Sequence, residues 1–254
     1  MKERYTFAAG RAMKREIITT ADGSSTLKVA EIDECYHSVN GALAESMHIF
    51  ITNGLRYYIS KNPEKSAEIT ILEAGFGTGL NCLLSLLEKQ SDPKYTIHYI
   101  SLEIYPLDKS EAEKLNYPET IKGYNISERE VRELFIKIHS AKWDRSEVII
   151  PGFTLTKLAL AIENLSDCHT IKEKYLNGKD LNLVYFDAFS PEKQPELWSS
   201  SIFNGIGIIM KPGSILTTYS SKGVVKQALR DAGFNVQRIA GPAGKKHIIR
   251  AEKL

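Results

Sequence analysis

Residues Ile71–Asn81 read ILEAGFGTGLN. An apolar run ends on an acid, Glu73, and three glycines follow at alternate positions, Gly75, Gly77 and Gly79. The next residues, LNCLLSLLEKQ, carry apolar side chains at helical spacing. The stretch is therefore a strand, a glycine turn and a helix. In open sheets of parallel strands a ligand binds beyond the carboxyl ends, and such a turn is the floor of its site. Glycine lets the backbone turn tightly there and be touched directly. Spacing separates the alternatives. A dinucleotide fingerprint wants a glycine where this chain has Leu80, and a phosphate loop wants a lysine that TGLN lacks. Glu73 would repel a phosphate, but an acid suits a cationic ligand part such as an amino-acid ammonium.

Outward from this turn, strands and helices alternate. YTIHYISLE is a second buried strand ending at Glu103, and SEREVRELFIKIHSAK has helical periodicity. GFTLTKL, LNLVYFDAF and SILTTYSS read as strands, KGVVKQALRDAG as a helix stopped at Gly233, and FNVQRIAGPAGKKHIIRAE as a closing antiparallel hairpin. That alternation predicts an α/β fold with a mostly parallel sheet covered on both faces, over residues 61–254. Residues 1–60 read as an N-terminal extension. REIITTADGSSTLKVAEI gives a hairpin, and a helix follows that Gly54 interrupts.

The bulk properties of the 254 residues exclude several classes. A net charge of +2 neither demands nor forbids a nucleic-acid partner. Cys35, Cys82 and Cys168 are far apart and form no C-x-x-C pair, which favours free thiols over a disulfide framework or a zinc site. The start MKERYTFAAGRAMKRE lacks the apolar core of a secretory signal, and no apolar run has the length of a membrane span. These features predict a cytoplasmic protein without a bound metal.

The segment LVYFDAFSPEKQPELW carries the chemistry. Four apolar residues run into Asp187 at a strand end, on the ligand side of the sheet. A proline-stiffened loop follows, with Phe189, Pro191, Lys193, Pro195 and Trp198. Phe189 or Trp198 can stack on a flat base, although a tryptophan here suits a packed core better. Lys193 can hold a phosphate or a uracil oxygen, or stand solvated. Glu103, at the end of its own strand, can accept hydrogen bonds from both hydroxyls of a ribose.

Glu-x-Gly-x-Gly-x-Gly followed by a strand-end acid resembles the class I S-adenosylmethionine-dependent methyltransferases. Asp187, Phe189, Pro191, Lys193 and Pro195 fit D-x-F-x-P-x-K-x-P, which resembles the methyltransferase domain of the MnmC family and its stand-alone relatives. DECYHSVNGALAESMHIFITNGL is similar to the N-terminal signature of that family, with Tyr36, Ser38 and Glu45 at its polar positions.

The resemblance implies a Rossmann-like fold with a seven-stranded sheet, and S-adenosylmethionine bound by Glu73, Gly75, Phe76, Gly77, Thr78, Gly79 and Glu103. It implies Asp187 as the catalytic residue, and Tyr36, Phe189, Pro191 and Lys193 on the substrate. The implied substrate is the 5-aminomethyl group of a wobble uridine in a tRNA anticodon loop. The implied product is the 5-methylaminomethyl nucleoside, made with no flavin involved. Phosphates of that loop would meet Arg11, Lys14, Arg15, Lys222, Lys226, Lys245 and Lys246. One departure stands out. FTLTKLALAIENL is apolar where many class I enzymes place an acid for the adenine, which leaves a backbone carbonyl or Glu163 for that contact. Two rival readings remain: an aminopropyltransferase of the spermidine synthase type, and a catalytically silent RNA- or partner-binding module on the same scaffold.

Overall fold

The computed structural model describes residues 14–63, 68–166 and 168–254, without the side chains of 166–171. Arg11 and the side chain of Cys168 lie outside the described residues. The chain forms a three-stranded sheet, β1 (Arg15–Thr19), β2 (Ser25–Val29) and β3 (Glu34–Cys35), and an eight-stranded one. The larger sheet holds β4 (Glu68–Ala74), β5 (Thr96–Leu102), β6 (Arg145–Ile150), β7 (Phe153–Leu158), β8 (Leu181–Phe186), β9 (Met210–Thr218), β10 (Phe234–Ala240) and β11 (His247–Lys253). Its order is β10-β11-β9-β8-β4-β5-β7-β6.

The central strands β7, β5, β4, β8 and β9 pair in parallel. Their sequences dictate this. ITILEA and LNLVYF are apolar or buried at nearly every position, which only a sheet covered on both faces accommodates. β4 pairs with β5 on one side and β8 on the other, so the strand order reverses there. Such a switch point leaves a crevice at the carboxyl ends, where the segments after β4, β5 and β8 meet.

The structure adds an eighth strand to the seven expected. β6 pairs antiparallel with β7 across the Pro151–Gly152 turn, at the sheet edge. Its side chains are mostly exposed, with Val148 65% accessible, so the hydrophobic pattern of a buried strand is missing. The C-terminal hairpin β10–β11 is antiparallel, as expected.

Gly54 does not interrupt its helix. Helical backbone runs without a break through Ala42–Ser46, Met47–Arg56 and Tyr57–Lys61, and the middle ten residues are π-helical. A Cβ on Gly54 would lie 3.1 Å from a ring carbon of Tyr185, so the missing side chain lets this helix rest directly on β8. Ile49, Phe50, Ile51, Leu55 and Tyr58 share one buried cluster with Ile71, Tyr99 and Tyr185. Each such side chain contributes about 1.5–3 kcal/mol of burial. Together they pack this helix on the face of the sheet.

Candidate active site

A cavity of about 330 Å³ opens at the switch point, a size that suits a small-molecule ligand. Its floor is the glycine turn. Gly75 has φ +96°, and a Cβ there would sit 2.9 Å from the carbonyl oxygen of Asp187. The segments after β4 and β8 therefore touch backbone to backbone, which only glycine allows. Gly77 has φ +49°, with its Cα face against the ring of Tyr36. Phe76, Gly77, Thr78 and Glu103 line the cavity, while Gly79 ends the turn at the start of helix Leu80–Ser91.

Glu103 ties the end of β5 to this turn. Its carboxylate accepts from the backbone N–H of Gly77 at 3.0 Å, and from those of Ile104 at 2.9 Å and Tyr105 at 2.8 Å. Beyond it, Ile104, Leu160 and Ile162 form an apolar wall, and Glu163 also lines the cavity. Glu163, one of the two groups left for a flat ring by the apolar FTLTKLALAIENL segment, thus lines the same cavity.

Glu73 is placed differently from the expectation that it faces a ligand. It is fully buried and does not line the cavity. Side chains alternate along a strand, and Glu73 falls on the face of Ile71, beneath the helix that follows the turn. It accepts from the Ser101 hydroxyl at 2.6 Å. Burial, reinforced by the nearby charge of Asp187, pushes its carboxyl up to about 8, against the opposing Ser101 hydrogen bond.

Asp187 does open on the cavity. Its backbone N–H donates to Ala74 O at 3.1 Å, and its Oδ2 accepts from Asn81 Nδ2 at 2.8 Å. Burial pushes this carboxyl up to about 7. Glu45 pushes the same way, while the Asn81 amide and the Lys245 charge oppose it.

Around Asp187 the cavity is aromatic. Tyr36 and Phe189 meet edge to face at 5.3 Å between centroids. Tyr219 donates its hydroxyl proton to Ala188 O at 2.8 Å. The loop after β8 is braced from outside. Glu34 accepts from the backbone N–H of Ser190 at 2.9 Å and its hydroxyl at 3.0 Å. Trp198 donates its indole N–H to Phe189 O at 2.8 Å and packs edge-on to Phe186, so it belongs to the core. Pro191 is buried behind the loop and Lys193 is exposed outside the cavity; neither lines it.

Several lining residues escaped the sequence reading as parts of one site, among them Asn81, Tyr219, Glu45 and Lys245. Tyr219 follows the carboxyl end of β9, so the strand-end rule that marks Asp187 marks it too. Lys245 stands in the hairpin turn and reaches Glu45 at 2.7 Å instead of a free surface. Arg15 is likewise spent internally, paired with Glu111 at 2.9 Å and bonded to the Tyr36 hydroxyl at 3.2 Å. Lys222 pairs with Glu192. Lys14 and Lys246 remain exposed, and Lys226 is half-buried.

A switch-point crevice, a glycine turn held by a strand-end acid and an antiparallel C-terminal hairpin define the class I S-adenosylmethionine-dependent methyltransferase fold. The site's features fit that cofactor. The glycine turn offers bare backbone, Glu103 stands at the next strand end, and the wall beyond is apolar. The chain belongs to a family described as S-adenosyl-L-methionine-dependent methyltransferase, whose model matches residues 128–254. S-adenosylmethionine is its cofactor.

The bifunctional protein MnmC of Legionella pneumophila strain Corby, named for tRNA 5-methylaminomethyl-2-thiouridine biosynthesis, is 29% identical over 242 residues. That match covers 87% of this chain and 34% of the relative. The corresponding protein of Cupriavidus necator is 30% identical over 224 residues, covering 84% of this chain and 31% of the relative. The chain thus spans about a third of the length of these curated relatives. The crystal structure of MNMC2 from Aquifex aeolicus matches with a TM-score of 0.70 and 27% identity, over 95% of this chain and 71% of that one.

Proposed function

We propose that the chain transfers a methyl group from S-adenosylmethionine to a primary amine on tRNA, the 5-aminomethyl group of a wobble uridine. The observation that carries this reading is Asp187, a carboxyl opening on the cavity in backbone contact with the glycine turn. The relatives named for methylaminomethyl-thiouridine biosynthesis supply the identity of the amine.

Bound in the cavity, the cofactor supplies an electrophilic methyl group. Gly75, Gly77 and the Glu103 carboxylate would hold it, with Glu163 and the apolar wall around its flat ring. The residues of the chain position an unprotonated amine in line with that methyl, which is the larger part of the catalytic task. An alkylamine is mostly protonated at neutral pH and must lose a proton to attack. Asp187, with its carboxyl raised to about 7, accepts a hydrogen bond from the nitrogen and stabilises the positive charge that develops there. Asn81 fixes its orientation. Tyr36 and Phe189 offer ring edges and faces against which a splayed uridine packs. Lys193, exposed outside the cavity, would be the loop's group for a phosphate. The setting is the cytoplasm, where tRNA is modified. Among the described residues no helix is long and apolar enough to cross a membrane, and no cluster suited to a metal occurs.

The test is transfer of labelled methyl from S-adenosylmethionine to tRNA carrying the unmethylated aminomethyl nucleoside, followed by nucleoside mass spectrometry. Methylaminomethyluridine should form with the native chain and not with Asp187→Asn. Cofactor binding without any methylated nucleoside would remove the substrate assignment. Transfer of an aminopropyl group from decarboxylated cofactor would favour the rival enzyme.

A further inference from the structure

Three segments distant in sequence meet around the cavity. Glu45 lies on the helical segment Ala42–Ser46, Asp187 follows β8, and Lys245 stands in the turn between β10 and β11. All three line the cavity. Glu45 is only 7% exposed, yet it is an acid. One of its oxygens accepts from the Ser38 backbone N–H at 3.0 Å, and the other faces the Lys245 ammonium at 2.7 Å. Lys245 also lies 5.1 Å from the Tyr219 ring centroid. The turn that carries it is anchored. Gly241 N–H donates to Lys246 O at 3.1 Å, and His48 Nε2 bonds Ala240 O at 2.8 Å.

We propose that Glu45 and Lys245 form a positioning couple for Asp187, holding two opposite charges beside it and so tuning the acid that receives the amine. This rests on the reading of Asp187 as the amine-facing residue. A buried ion pair is a costly feature, and replacing one with apolar groups is often neutral or stabilising, so stability alone does not explain it.

The other groups facing Asp187 leave the pair in control. From β4 comes Glu73, which holds its proton to about pH 8, and from helix Leu80–Ser91 the neutral amide of Asn81. Tyr117 and Tyr219 also sense the Asp187 charge, and burial raises both phenols above their ordinary value. His37, close to Glu45 and Lys245, is pushed down to about 4 by burial and is neutral at pH 7. Of the charged side chains that line the cavity, which also include Glu34, Glu103 and Glu163, Glu45 and Lys245 are the two that act on the Asp187 carboxyl. They act with opposite sign: Lys245 favours the Asp187 carboxylate and Glu45 disfavours it.

The experiment measures the acid limb of the pH profile of methyl transfer, alongside a carbon-13 NMR titration of the Asp187 carboxyl. The carboxyl signal is assigned by its loss in Asp187→Asn. Lys245→Met should move both the limb and the NMR midpoint up by roughly one unit, and Glu45→Gln should move both down. The double variant should return towards the native position, and Lys245→Arg should keep it. A merely structural role would lower kcat without moving the midpoint in opposite directions for the two single variants. Equal or same-sign midpoints in Glu45→Gln and Lys245→Met would overturn the proposal. The NMR arm needs no tRNA. Opposite midpoint shifts in a chain that methylates no tRNA would support the couple while the substrate assignment falls. Variants too unstable for one readout are covered by the conservative Glu45→Gln and Lys245→Arg.

Discussion

Two acids flank Asn81, and the molecule treats them differently. Asp187 accepts from the Asn81 amide, and Glu73 lies within the same residue's reach on the neighbouring strand. Burial raises both carboxyls, Glu73 to about 8 and Asp187 to about 7. Only Asp187 opens on the cavity. Glu73 is sealed against Ser101 under the helix. Raised proton affinity therefore does not mark function by itself, because sealed structural acids show it too. What separates the two is access: one acid can meet a ligand and the other can only hold its layer together.

The comparison breaks most visibly at Asp187. Asp187→Asn keeps the shape and the Asn81 neighbour but removes the base and the charge that favours a developing ammonium. Methyl transfer to tRNA should fall by about 10²–10⁴ in kcat, with cofactor affinity measured by calorimetry nearly unchanged. A variant that keeps most of its activity would leave the positive charge to be stabilised by other residues.

Gly75→Ala attacks the contact between the two strand ends. Its Cβ would meet the Asp187 carbonyl at 2.9 Å, at a backbone φ of +96° that alanine resists. Strain of about 1–3 kcal/mol should displace the turn, so cofactor affinity should drop by about tenfold or more, with a further loss in kcat as Asp187 moves. Calorimetry and steady-state kinetics separate the two terms. Native affinity would mean that the turn gives way without cost.

The contrast between the two acids also shows what the sequence makes legible. The strand–glycine–helix run and the strand-end position of Asp187 are local patterns, and the turn, Glu103 and Asp187 followed from them. Glu73 is two residues from Gly75, and proximity in sequence suggested proximity to the ligand. Alternation along β4 sends it to the other side instead. Glu45, Tyr219 and Lys245 belong to segments far apart in the chain, and only the closed sheet brings them together. β6 stayed hidden because an exposed edge strand has no hydrophobic alternation to read. The π-helical stretch stayed hidden because its apolar spacing suits an ordinary helix as well.

Asn81→Ala removes the group the two acids share. Asp187 loses the hydrogen bond that holds its carboxyl down, so its acid limb should move up and activity at pH 7 should fall several-fold. The loss should shrink above pH 8.5, where the carboxylate is restored. A pH-independent deficit would assign Asn81 to shape alone.

Glu73→Gln gives the smallest effect on activity and the sharpest contrast with Asp187→Asn. The folded protein keeps the Glu73 proton up to about pH 8, while the unfolded chain releases it near the ordinary value of 4.5. Between those values the folded state binds the extra proton, so raising the pH costs stability across that window. Glutamine cannot titrate, and it keeps the size and the acceptor oxygen that Ser101 uses. The variant's Tm should therefore match the native Tm near pH 4.5 and exceed it by roughly 10 °C or more at pH 8.5, because holding the proton from 4.5 to about 8 is worth about 5 kcal/mol, at about 2–4 °C for each kcal/mol. Methyl transfer and cofactor affinity should stay within about twofold of native, because the side chain does not reach the cavity. A collapse of cofactor binding in Glu73→Gln, with Tm unchanged across pH, would put Glu73 back against the ligand and dissolve the distinction between the two acids.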